Sequence, residues 1–164
     1  ATTTSGSLGL SDGRSQELTA TAASGSVKIA AVTADYLTAA TKSGSLKLHE
    51  SKIGEIDSST RSGSLHFDAL QTSGTIKTIS GSINGSRLTL TEELEIGTKS
   101  GSIHLQMAPE QSYDFDLKSG SGSTHHSGEI HNRFSSRKQL AGTIGTAPTF
   151  SLTATSKSGS ITVS

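Results

Sequence analysis

The sequence predicts an all-β fold: a single-stranded parallel β-helix, or β-solenoid, with coils of about 19 residues. Three observations point there: a Ser-Gly-Ser tripeptide at near-constant spacing, an apolar-variable-apolar triplet after most copies, and no stretch of helical periodicity. The tripeptide glycines are Gly6, Gly25, Gly44, Gly63, Gly81, Gly101, Gly120 and Gly159, separated by 19, 19, 19, 18, 20, 19 and 39 residues. A fixed period marks one structural unit repeated. The last interval holds a weaker copy around Gly142, so the chain reads as eight or nine units with a degenerate penultimate region.

The triplets are Leu8-Gly9-Leu10, Val27-Lys28-Ile29, Leu46-Lys47-Leu48, Leu65-His66-Phe67, Ile103-His104-Leu105 and Ile161-Thr162-Val163. Period two is the mark of a short strand with one buried face. A second alternating run precedes the tripeptide, as in Leu37, Ala39, Thr41; Ile56, Ser58, Thr60; Leu94, Ile96, Thr98; and Tyr113, Phe115, Leu117. Unbroken alternation would carry Lys42 and Lys99 into the core, so the strand turns at the tripeptide, where glycine bends without a Cβ clash. A third, looser apolar position lies at Val32, Ile53, Leu70 and Leu88. Each coil is expected to pair in parallel with the next, right-handed by the general crossover preference, in a rod on the order of 40 Å long at about 4.8 Å per coil.

Leu, Ile, Val and Phe total 33 of 164 residues, near the lower limit for a chain that buries a core. The net charge is zero, however, and the apolar residues fall in register from repeat to repeat, which restores the folded reading. Residues 1–164 read as one solenoid domain, with 122–150, containing Pro148 and the His125-His126 pair, as an irregular coil or capping region. Ala1-Thr2-Thr3-Thr4 run straight into the first tripeptide, so the expectation is an excised part of a longer protein, anchored by a segment outside this chain. Exposed coil ends would also permit oligomers. Absence of cysteine fits an exported protein with no disulfide requirement, though it fits many cytosolic ones too.

The Thr-Lys-Ser-Gly-Ser-Ile-x-Leu pattern, the run Leu117-Lys118-Ser119-Gly120-Ser121-Gly122-Ser123, the stretch Leu140-Ala141-Gly142-Thr143-Ile144-Gly145 and the closing Ser158-Gly159-Ser160-Ile161 resemble a bacterial adhesin family. The resemblance covers nearly the whole chain. It implies a parallel β-helix on a cell surface or in an envelope protein, including relatives of the Lia-type envelope-stress proteins. The family's motifs are structural repeats and transfer no catalytic residue. Where that family often has Asp after Ser-Gly, this chain mostly has Ser, which removes a row of carboxylates.

Outward positions beside the corner are enriched in basic residues. Before the tripeptide stand Ala23, Lys42, Arg61, Ile79, Lys99, Lys118 and Lys157; after it, Lys28, Lys47, His66, Asn84 and His104. Lys28, Lys42, Lys47, Arg61, Lys99, Lys118 and Lys157 form the candidate polyanion-binding stripe, read as two columns along one side. Partners of matching chemistry are an envelope polymer, an anionic lipid surface or another surface protein. The plainer alternative is that these cations keep exposed strands soluble and unaggregated.

Other chemistries find little support. His66 and His104 share a column, but Asn84 separates them by about 10 Å, too far for one ion; adjacent His125 and His126 point to opposite faces. No metal or cofactor is expected. The chain lacks tryptophan, Tyr36, Tyr113, Phe67 and Phe115 are expected to face inward or into corners, and the repeat places no carboxylate pair on one outward face, so glycoside hydrolysis is disfavoured. Equivalent corner serines read as turn residues rather than nucleophiles. Outward Lys and His in place of Thr argue against an ice-binding array, and near-neutral charge without an aromatic platform argues against nucleic acid. The functional expectation is a non-enzymatic, adhesin-like module on the extracellular face of a bacterial envelope. The alternative is a structural spacer, or a sensor component of an envelope-stress response acting through protein contacts.

Overall fold

The computed structural model describes residues 1–164, in strands joined by turns, bends and irregular segments, with no helix. In chain order the strands are β1 (Thr2–Ser5), β2 (Leu8–Ser11), β3 (Arg14–Ser24), β4 (Val27–Ala30), β5 (Thr33–Ser43), β6 (Leu46–Ser62), β7 (Leu65–Ser80), β8 (Ile83–Ser100), β9 (Ile103–Met107), β10 (Tyr113–Ser119), β11 (Thr124–His126), β12 (Ile130–Ser135), β13 (Gln139–Ile144), β14 (Phe150–Ser158) and β15 (Ile161–Val163). The chain is a β-solenoid. Its long wall is made of the strands before each Ser-Gly-Ser corner and its short wall of those after it, each in parallel register with the neighbouring coil. Leu18↔Leu37↔Ile56 and Val27↔Leu46↔Leu65 show how the repeat becomes columns of stacked apolar side chains.

The corner requires glycine. Gly25, Gly44, Gly63, Gly81, Gly101 and Gly159 all have φ between +130° and +150°, and a Cβ on any of them would strike the carbonyl of the corner glycine one layer away. A second corner, which the sequence did not announce, follows the short wall. There Asp12, Ala31, Glu50, Ala69 and Arg87 adopt φ of 54°, 52°, 46°, 52° and 51°, a left-handed conformation held without glycine. Val32, Leu70 and Leu88 follow this corner directly and are buried; in the coil of β6 Ser51 takes that place, and Ile53, also buried, lies two residues further on in register with Ala34, which corrects the expectation of one shared apolar position.

The core is one cluster of 32 buried apolar residues, thin but continuous. Thr41, Thr60, Thr78 and Thr98 point inward beside the first corner, as the alternation required. Of the aromatics, Phe67, Tyr113 and Phe115 are buried, whereas Tyr36 is 58% exposed, against expectation. It pairs with Glu17 and Glu55 on the outer face of the long wall, because the residue that turns inward there is Leu37.

Stacking does not follow sequence to the end. The strand order is β1-β3-β5-β6-β7-β8-β14-β10-β13-β12, so the last coil of the chain lies between the coil of β8 and β9 and that of β10 and β11. The expected stacking of each coil on its successor therefore fails at one place. Consequently Gly159 stacks on Gly101 and Gly122 on Gly159; the corner of that coil is Ser121-Gly122-Ser123, not Ser119-Gly120-Ser121. Gly142 is no corner: it sits in β13, which runs antiparallel to β10 and, with β12, forms a hairpin over the outer edge of β10. The outermost strand β12 is bulged between His131 and Phe134 and carries His131 and Arg133, features that resist further pairing. At the other end β1 and β2 each have a strand on one side only.

Candidate functional site

The parallel register lays the outward residues of the long wall in columns. Nearest the corner is the column Ala23, Lys42, Arg61, Ile79, Lys99 and Lys157, fixed by the pairing of the serines on its corner side and the inward threonines on the other. Because the last coil is inserted, Lys157 neighbours Lys99. Two residues inward along each strand runs Thr21, Ala40, Ser59, Lys77, Gly97, Thr155 and Lys118. Mostly small side chains in this second column leave a groove along the stacking direction, about 830 Å³ in volume, with Lys42, Arg61, Lys99 and Lys157 along it.

None of those four cations is in an ion pair with a side chain of this protein, whereas Lys77 reaches Glu95 Oε2 at 3.0 Å. Lys118 departs from expectation: it stands in the second column, and its Nζ donates to Asp116 Oδ2 at 2.6 Å. The spacing Asp116-x-Lys118 on one strand face was the available signal for that pairing. Lys28 and Lys47 stack on each other on the short wall, around the corner from the groove. The seven residues therefore do not make a single stripe of two columns. Four share one groove, two lie on the adjoining wall and one is neutralised.

Beyond the second column the wall turns acidic. Asp57, Glu95 and Asp116 lie in one column, and Glu17, Glu55, Glu93 and Asp114 in the next. Glu93 and Glu95 thus share one outward face, as do Asp114 and Asp116, correcting the expectation that no carboxylate pair would. The wall is polarised, basic toward the corner and acidic away from it.

The short wall carries a second groove of about 640 Å³, lined by Lys47, His49, His66, Asp68, Asn84 and His104 among others. Here Asp68 accepts hydrogen bonds from Arg87 Nη2 at 2.9 Å and Ser86 Oγ at 2.8 Å, which hold its carboxyl below the ordinary aspartate range. His49 Nδ1 also lies 2.9 Å from Asp68 Oδ2. His66, Asn84 and His104 stack in register, and no three metal-ligating side chains converge.

His126 is the one buried histidine. The Gly128 N–H donates to its Nδ1 at 2.9 Å, so the ring proton sits on Nε2, which donates to Tyr113 Oη at 2.9 Å. Phe115 stacks on the ring at a centroid distance of 4.6 Å. Burial pushes the His126 pKa down to about 4 and that of Tyr113 up to about 12. Its neighbour His125 is exposed, as strand alternation demands.

Both grooves are lined by cationic and hydroxyl side chains, which offer charge and hydrogen bonds to a ligand. No characterised protein and no solved structure gives a significant match. The model of the Toastrack DUF4097 family, a domain family of unknown function, matches residues 1–164, and the chain belongs to that family.

Proposed function

We propose that this domain is a non-enzymatic, adhesin-like binding module of the bacterial cell envelope, displayed on its extracellular face and held there by a segment outside the chain. The observation that carries the reading is the long-wall groove with four cations, Lys42, Arg61, Lys99 and Lys157, that no carboxylate of the domain neutralises. In an overall neutral protein, such a ladder provides local attraction for a polyanion that lies along the solenoid axis. The small floor of Thr21, Ala40, Ser59, Gly97 and Thr155 lets the polymer approach the wall and supplies hydroxyl groups. An anionic envelope polymer fits this geometry better than a flat lipid surface, because the site is a groove.

Binding of the domain to cell envelopes and to isolated anionic polymers, at low and at moderate salt, tests the reading. Saturable binding that salt weakens supports it. No binding to any fraction overturns it in favour of a spacer or assembly element acting through protein contacts.

A further inference from the structure

The out-of-order coil points to a partner. We propose that residues 150–163 are a donor coil that a second copy of this chain can supply, so that two copies associate by reciprocal exchange of β14 and β15. The segment is held on both sides. β14 pairs in parallel with β8 and with β10, and β15 with β9 and with β11. Backbone bonds close the joint: Gly101 N–H and Ile103 N–H donate to Ser158 and Ser160 at 2.9 Å, and Gly120 N–H donates to Ser156 at 2.8 Å. Without the segment, the solenoid would hold a slot one coil high, with unpaired edges facing each other across it.

The slot is selective. It takes inward side chains at Leu152, Ala154, Ser156, Ile161 and Val163, all buried to 1% exposure or less. It also needs glycine at the corner, where any Cβ would strike the Gly101 carbonyl. This chain's own last coil meets both demands, and a second copy carries the same segment in the same register. Residues 145–149 connect it to the hairpin; Thr146, Ala147, Pro148 and Thr149 are exposed, so the connection can extend without uncovering core. Exchange of an identical element replaces every intramolecular contact by its intermolecular equal, which is why it costs little once the hinge can open. This inference does not depend on the polyanion reading, and its test contains no polymer.

The chain has no cysteine, so engineered ones report cleanly. Thr153 is in register with Glu95 on the outer face of the long wall, a spacing a disulfide can bridge. Glu95→Cys and Thr153→Cys single variants are mixed at high concentration, warmed to the onset of unfolding, cooled and oxidised. The expected product is a disulfide-linked heterodimer of twice 16.8 kDa, enriched over either homodimer and absent from an unwarmed mixture. The double variant, oxidised before warming, is expected to stay monomeric. Unaltered protein, warmed and followed by light scattering, is expected to yield a dimer fraction without any cysteine. A mixture that stays monomeric after reversible opening, or links homodimers as often as heterodimers, overturns the proposal.

Discussion

Ser119 Oγ donates a hydrogen bond of 2.8 Å to the carbonyl of Gly159, 40 residues away in sequence. The bond belongs to a ladder: Thr41 bonds to Gly25, Thr78 to Gly63, Thr98 to Gly81 at 3.3 Å and Ser156 to Gly101 at 3.0 Å. Each joins the inward hydroxyl of one coil to the corner glycine of the coil beside it, so the same side chain that ends the apolar run also satisfies the corner. Ser119 and Ser156 make the shorter bonds at the joint around the inserted coil.

Replacing Ser156 by Ala should lower stability by about 1 kcal/mol, because the half-buried Gly101 carbonyl loses its donor. Ser58 is the contrasting case: it is fully buried and its hydroxyl has no partner. Ser58→Ala should therefore be neutral or stabilise by up to about 1 kcal/mol, matching Ala39 in the same column. Urea unfolding of the two variants against the parent checks both signs.

Gly63→Ala should cost more than about 3 kcal/mol or prevent folding, since it combines φ +150° with a collision against the Gly44 backbone. Gly9→Ala, on the short wall with open space around its Cβ position, should change stability by less than about 1 kcal/mol. At the second corner Ala69→Gly should be close to neutral or stabilising, relief of φ +52° offsetting the added freedom of the unfolded chain. Thermal melts of the three variants give the ranking.

Acid should loosen the capped end first. His126 has a folded-state pKa of about 4, below its unfolded value, so the folded state prefers the neutral ring. Its contribution is complete above about pH 6.5 and is lost as pH falls toward 4, amounting to about 1–2 kcal/mol at pH 4.5 once partial solvent access is allowed for. Protonation would put a second proton on Nδ1, facing the Gly128 N–H. His126→Leu should be less stable than the parent at pH 7 and show a flatter pH profile between 7 and 4.5. Denaturant midpoints across that range decide it.

Lys42→Gln, Arg61→Gln and Lys99→Gln together should weaken polyanion binding by roughly thirty- to a hundredfold at low salt, at about 1 kcal/mol or slightly less per charge lost. Lys118→Gln and Lys28→Gln, which lower the net charge by the same amount per residue, should have a much smaller effect, because neither side chain lines the groove. Titration of a labelled anionic polymer into each variant separates the groove from a general effect of net charge.

Much of this molecule was legible in its residues. The Ser-Gly-Ser spacing, the alternation of Leu37, Ala39 and Thr41, and the buried Val32, Ile53, Leu70 and Leu88 are local signals, set by side-chain period and by the one residue that tolerates the corner. The candidate site was legible only in part. Lys42, Arg61 and Lys99 follow from that period, but the position of Lys157 beside Lys99, the removal of Lys118 to another column and the division of the basic residues between two walls do not.

The residues by themselves determined a solenoid, the length of its coil, the faces of its strands and the need for glycine at one corner, because each depends on a few neighbouring positions. Tertiary structure alone decided which coil lies beside which. Parallel ladders formed by near-identical repeats satisfy backbone hydrogen bonds equally well in several orders, and Ser119-Gly120-Ser121-Gly122-Ser123 offers two overlapping corners. The choice falls to contacts between distant segments: the β12–β13 hairpin over β10, the Tyr113–His126 bond and the fit of Leu152, Ile161 and Val163 between two coils.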